Sequence, residues 1–172
     1  MNVALLVLAL VTAQRLGELV LARRNTARLL AQGGREEAPG HYPLIVLLHA
    51  AWLAGLWLLA WNATISWPWL ALFVVLQIVR FWVLASLGER WTTRIIVLPG
   101  AEPVRSGPYR FTAHPNYAVV VAEIAVLPLV FGLPLYALVF SIANAALLTV
   151  RIRAENAALA RAAGETPGVP PS

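Results

Sequence analysis

Apolar residues run without a break from Val3 to Val11, and the chain returns to that density four more times. The pattern predicts a first span over residues 1 to about 22, a second over 42–61 and a third over 68–87. Two further segments follow, about 116–131 and 134–150, broken by Phe131-Gly-Leu-Pro134. Each is only about 16 residues, roughly 24 Å of helix against a hydrocarbon core of about 30 Å, so they read as short spans or a tightly packed helical hairpin. Polar stretches separate these runs at 23–41 and 88–115, and a third begins at Arg151. The link from Asn62 to Pro68 is short and uncharged, so the second and third spans form a tight hairpin. The expected fold is all-α: an integral membrane helical bundle of about five transmembrane helices with a C-terminal helical hairpin. One domain covers 1–161. The end of the chain, 162–172, closes in Pro167-Gly-Val-Pro-Pro-Ser and is expected to be disordered.

Composition agrees: 60% of residues are hydrophobic and 12% charged, with a mean hydropathy of +0.73. A soluble domain carries about a quarter charged residues. There is no cysteine, which excludes disulfides and thiolate metal sites, and no metal site is expected. The net charge of +5 comes from thirteen arginines and eight glutamates. It does not call for nucleic acid, because basic loops of a membrane protein report orientation. The segments 23–41 and 88–115 each hold four arginines against two glutamates, and the tail holds three against two. The turns at 62–67 and 132–133 carry no charge. Five spans put every charged segment on one side, which the positive-inside rule makes the cytoplasm. The N-terminal run lacks a basic leader and a small-residue cleavage site, so it reads as a retained span.

Several polar groups interrupt the spans. Gln14, Arg15 and Glu18 share a helical face, and at that depth they mark either a bundle-interior contact, an ion pair or interhelical clamp, or a site. Arg80 either snorkels to the interface or pairs with an acid on a neighbouring helix. His49 reads as hydrogen-bonded inside the bundle, and Trp61, Trp67 and Trp69 as interfacial anchors. Glu123 and Asn144 fall within the last two apolar segments.

The stretch from Leu98 to Tyr117 departs most from its surroundings, with four prolines, two glycines, two arginines and His114. Prolines 103, 108 and 115 each remove a donor and push the preceding residue out of the helical region. This is a shaped loop that ends where a helix begins, near Pro115. In the five-span topology three groups converge on one face: Gly107-Pro-Tyr-Arg110, His114-Pro-Asn-Tyr117, and Arg151 to Glu155. A helix N-terminus favours an anionic group, a carboxylate takes hydroxyls or a cation, and an aromatic face suits a flat ring or sulfonium. Taken singly, His-Pro reads as a helix cap and Arg151–Glu155 as an i,i+4 ion pair.

Together these motifs resemble the isoprenylcysteine carboxyl methyltransferase family. Its pattern is Gly-x-Tyr, then Arg-His-Pro-x-Tyr and, after a hairpin, Arg-x-x-x-Glu-Glu-x-x-Leu. Here the matching runs are Gly107-Pro-Tyr-Arg, Ala-His-Pro-Asn-Tyr117 and Arg151 to Leu159. Glu18–Asn25 and His41-Tyr-Pro43 resemble the small bacterial members, so the likeness covers nearly the whole chain. The resemblance implies about five transmembrane helices and an S-adenosylmethionine site at the cytoplasmic end without a Rossmann domain. No Gly-x-Gly-x-x-Gly occurs in the sequence. By position, it implies that His114, Asn116 and Tyr117 line the cofactor pocket, with Gly107 and Tyr109 on its loop wall. Glu155 would hold cofactor hydroxyl or amino groups, and Arg151 would orient the methyl-accepting oxygen. Two positions depart: Ala113 replaces the arginine before His-Pro, and Asn156 replaces the second glutamate.

The implied reaction is O-methyl transfer to a lipophilic acceptor reached through the bilayer. That acceptor is an isoprenylcysteine-type carboxylate or a hydroxyl of alkylresorcinol or alkylpyrone type. A carboxylate needs only an orienting cation, whereas a phenol or enol needs a base, for which His114 or Glu155 is the candidate. The competing classes are a phospholipid N-methyltransferase, an NADPH-dependent membrane reductase and a non-enzymatic membrane scaffold.

Overall fold

A computed structural model describes residues 2–102 and 104–164. Five helices account for most of them: α1 (Val3–Ala31), α2 (Tyr42–Ala60), α3 (Trp67–Leu87), α4 (Pro115–Val130) and α5 (Pro134–Gly164). Four of these, α1, α2, α3 and α5, are long and apolar enough to cross a membrane, and α4 is shorter. The fold is an all-α membrane helical bundle. Proline stands in the first turn of α2, α3 and α4 and opens α5, where its missing N–H costs no intrahelical bond.

One end of the bundle is nearly uncharged and tightly tied. The Asn2 side chain accepts from the Ala4 N–H (3.0 Å), capping α1, and donates to the Trp61 carbonyl at 2.8 Å. The Ser66 N–H donates to the Val130 carbonyl at 2.8 Å. The start of α1, the α2–α3 turn and the end of α4 therefore meet there. The main apolar core includes Leu8, Trp52, Leu56, Phe73, Ile124 and Leu127. Helices α2 and α5 approach closely at Gly55, where a Cβ would stand 2.2 Å from the Tyr136 hydroxyl. That hydroxyl donates to the Trp52 carbonyl at 2.8 Å. Leu10, Leu47, Leu58, Ile78 and Ile142 point outward and are exposed, the arrangement of a bundle solvated by hydrocarbon.

The other end gathers the charged segments, and there the structure departs from the expected boundaries. Helix α1 continues to Ala31, so nearly half of the expected loop 23–41 is helical. Ala22, Asn25 and Leu29 are buried at helical spacing, and Asn25 donates to the carbonyls of Gly88 (3.1 Å) and Trp91 (2.8 Å). Tertiary packing thus carries the helix past its arginines. Likewise α5 does not stop at 150; it runs 31 residues to Gly164. The last segment is therefore long enough to span, whereas α4 has only 16 residues. Of the expected disordered tail, 162–164 lie in α5 and the rest lies outside the described residues. A two-residue ribbon was not foreseen: β1 (Arg35–Glu36) pairs antiparallel with β2 (Ile96–Val97) and ties the two polar connections together.

Candidate functional site

Two polar clusters stand in this bundle, one sealed and one open. The sealed cluster lies mid-span and joins three helices. Arg80 on α3 donates through Nε and Nη2 to the two oxygens of Glu18 on α1, both at 2.6 Å. Its Nη1 donates to Glu123 on α4 at 2.8 Å. Arg15 bridges the same acids, at 2.8 Å to Glu18 and 2.9 Å to Glu123. Gln14 and Gln77 each donate to one of the remaining carboxylate positions, at 3.0 and 2.8 Å. Two arginines and two glutamates cancel, and every carboxylate oxygen is occupied, as charges in hydrocarbon require. The cluster is both the pair and the interhelical clamp expected of Arg15 and Glu18, and it holds Arg80 inward instead of letting it snorkel. His49 is similarly closed: its Nδ1 lies 2.8 Å from the Ile45 carbonyl.

The open cluster forms where α4 begins, against the middle of α5. Arg151 and Glu155 occupy one face of α5, one turn apart, yet they make no direct ion pair. The Tyr117 hydroxyl stands between them: it accepts from Arg151 Nε at 2.8 Å and donates to Glu155 Oε2. The Arg151 guanidinium also lies over the Tyr117 ring, 5.6 Å from its centroid. His114 stacks on Tyr117 with centroids 5.3 Å apart, and its Nε2 lies 3.2 Å from Asn156 Oδ1. Asn156, at the family's second-glutamate position, therefore holds the imidazole in place. Ala113, the other departure, is exposed.

The loop supplies the remaining wall. Gly107–Arg110 form a single 3-10 turn that starts at Gly107 with φ +56°. A Cβ there would meet Ser86 Oγ at 2.1 Å and Trp82 Nε1 at 3.2 Å, so glycine is required both for its left-handed backbone and for close approach to α3. Burial, with the Glu155 carboxylate nearby, pushes the Tyr109 hydroxyl's pKa up. Asn116 lies 3.5 Å from the Trp91 indole N–H. All six residues expected to hold a cofactor, together with Arg151, thus fall around the start of α4.

A separate groove of about 840 Å³ opens between α1 and α3, walled by Leu21, Phe81 and Leu84, with Glu18 and Arg24 among its polar lining. Trp91 links the two regions, accepting from Asn25 beside the groove and reaching Asn116 beside the open cluster.

One residue near the open cluster was missed as a site candidate. His41 sits in the 3-10 turn Pro39–His41 that leads into α2, and burial, with the Arg151 charge, holds its imidazole's pKa below the usual value. Its Nε2 is buried and has no hydrogen-bond partner. The signal in the sequence was His41-Tyr-Pro43 at the mouth of the second span, used there only as a family feature.

An apolar shell, a neutralised charge cluster at mid-depth and an open polar cluster at one end define an integral membrane protein. More narrowly, the chain belongs to the isoprenylcysteine carboxyl methyltransferase (ICMT) family, whose pattern matches residues 69–161. That is a family of methyltransferases, and the matched region holds the whole open cluster. A Bacillus subtilis (strain 168) protein, described as uncharacterized protein YpbQ, is 44% identical over 159 residues, covering 90% of this chain and 95% of that protein. An uncharacterized Haemophilus influenzae protein is 28% identical over 166 residues, covering 88% of this chain and 91% of that protein. No solved structure matches.

Proposed function

We propose that the chain is an S-adenosylmethionine-dependent O-methyltransferase, acting at the cytoplasmic face on a lipophilic acceptor that arrives through the membrane. The observation that carries this reading is the Arg151–Tyr117–Glu155 relay. It fits a ligand bearing a carboxylate, an ammonium, hydroxyls and a sulfonium. Arg151 and Glu155 each spend one polar group on Tyr117, leaving guanidinium N–H groups and a carboxylate oxygen to face a ligand. The stacked rings of His114 and Tyr117 offer the π-face that attracts a cation. In the first turn of α4 the Asn116 N–H suits an anion, since Pro115 has no N–H and the Tyr117 N–H donates to the His114 carbonyl.

S-adenosylmethionine would supply a methyl group on a sulfonium, open to in-line displacement. The protein's part is chiefly positioning, worth about 7–11 kcal/mol in well-oriented systems. Glu155 would hold hydroxyl or amino groups, Arg151 would orient the accepting oxygen, and the Gly107–Tyr109 turn would keep water from that side. The arginine-rich segments share one end of the bundle, which supports a cytoplasmic site under the positive-inside rule. The acceptor would be an isoprenylcysteine-type carboxylate or an alkylresorcinol- or alkylpyrone-type hydroxyl.

The test is transfer of labelled methyl from S-adenosylmethionine to organic-soluble acceptors by protein in lipid nanodiscs. Label in an extractable product, absent with Arg151→Gln, is expected. A folded protein that binds NADPH and not S-adenosylmethionine would overturn the reading in favour of a reductase.

A further inference from the structure

The groove between α1 and α3 uses none of the residues of the open cluster, and ties at both ends hold it open. At its deep end Glu18 meets Arg80 at 2.6 Å. At the other end Asn25 donates to the Gly88 carbonyl at 3.1 Å, and Arg28 pairs with Glu89. The stretch of α1 from Glu18 to Asn25 is about 10 Å of helix, and the groove occupies that interval. A Cβ added at Gly17 or Gly88 would meet nothing within 4 Å, so these glycines leave room instead of a close helix contact. The volume of about 840 Å³ falls within the range of ligand pockets, roughly 300–1,000 Å³.

Its wall and its mouth differ in chemistry. Leu21, Phe81 and Leu84 make the wall apolar. Leu21 and Phe81 are exposed, and on a membrane-spanning bundle such side chains meet acyl chains. The charges at the mouth do not cancel. Glu18 is closed within the mid-span cluster by Arg15 and Arg80, and Glu89 is taken by Arg28. Arg24 is exposed and has no acidic partner among the described residues. It follows directly on the first apolar run, whose expected end near residue 22 is the depth of the headgroups. One uncompensated guanidinium thus lines an apolar groove at that depth, and its planar fork fits a phosphate.

We propose that this groove binds an anionic phospholipid, with one acyl chain along Leu21, Phe81 and Leu84 and the headgroup phosphate on Arg24. A basic notch between membrane helices selects acidic headgroups. A zwitterionic lipid brings its own ammonium towards the arginine and gains less. Gln14 and Glu18 also lie in the lining, so the seated lipid covers that flank of the mid-span cluster and stabilises the bundle by binding its folded form. The inference is independent of the methyltransferase reading, because it uses no residue of the open cluster.

The experiment places the full chain in phosphatidylcholine nanodiscs with increasing phosphatidylglycerol. It reads the rise in Tm with phosphatidylglycerol and, by native mass spectrometry after transfer to detergent, the ratio of the two lipids retained. Wild type is compared with Arg24→Gln, with Gly17→Leu, and with Arg153→Gln, which removes the same charge from an exposed position on α5. Gly17 and Arg24 are exposed, so the variants should fold, and the readout is the lipid-dependent change within each. Wild type should retain phosphatidylglycerol preferentially and gain Tm with it. Arg24→Gln should lower that preference about fivefold, the equivalent of roughly 1 kcal/mol. Gly17→Leu fills the groove without a clash and should cut phosphatidylglycerol retention with Arg24 intact, whereas Arg153→Gln should behave as wild type. Glycerophosphate, which has no acyl chains, should not displace the lipid. Equal retention of the two lipids by wild type, or equal losses in Arg24→Gln and Arg153→Gln, would overturn the inference. So would unchanged retention in Gly17→Leu, or displacement by glycerophosphate, which assigns Arg24 to a soluble anion.

Discussion

The two charge clusters use the same residue types in opposite ways. At mid-span, Arg15, Glu18, Arg80 and Glu123 neutralise one another, with two glutamines taking the remaining carboxylate positions. At the end of the bundle, Arg151 and Glu155 touch only through the Tyr117 hydroxyl and keep unused donors and acceptors. Depth explains the contrast. In hydrocarbon an incompletely paired charge costs several kcal/mol, so the mid-span cluster must be closed. At the membrane edge water can solvate what a ligand will later take, so spare capacity is tolerated. A sealed cluster holds helices; an open one, on the reading proposed above, holds a substrate.

The comparison breaks first at Arg80. Arg80→Met leaves two buried acids with only Arg15, and chemical unfolding in detergent should show a loss of about 3–5 kcal/mol. Adding Glu123→Gln restores neutrality and should recover part of that loss. Next is Tyr117→Phe, which keeps the ring and removes the hydroxyl shared by Arg151 and Glu155. Calorimetry should find S-adenosylmethionine affinity down roughly tenfold, the worth of about 1–1.5 kcal/mol of hydrogen bonding. Of similar size, Gly107→Ala must hold alanine at φ +56° against Ser86. It should cost about 1–2 kcal/mol of stability, with Ser86→Gly relieving the clash but not the backbone strain. Smallest, Arg161→Gln opens an exposed pair with Glu37 and should change unfolding by less than about 1 kcal/mol.

The sequence was most informative where polar residues were least expected. Glu18, Arg80 and Glu123 stand out in apolar runs, and a membrane leaves few options for them, so their pairing was foreseeable while their exact partners were not. Gly107, His114, Tyr117, Arg151 and Glu155 were legible because their spacing resembles one family. What the pattern could not convey was that Tyr117 separates Arg151 from Glu155, since i,i+4 spacing alone predicts a direct pair. Helix ends were hidden as well. Asn25 and Leu29 look like loop residues until Gly88, Trp91 and the ribbon are packed against them. His41 stayed unremarked because an orphan nitrogen is a three-dimensional property, visible only when its neighbours are known to be spoken for.

The most direct test of the open-site account is S-adenosylmethionine binding to the purified protein by calorimetry, beside Glu155→Ala and with thermal unfolding of both. The account predicts saturable binding by wild type, weakened roughly 10- to 100-fold in the variant, as expected for one charged hydrogen bond of about 1.5–3 kcal/mol, with little change in Tm. Absence of binding by a folded wild type, or equal binding by the variant, would contradict it.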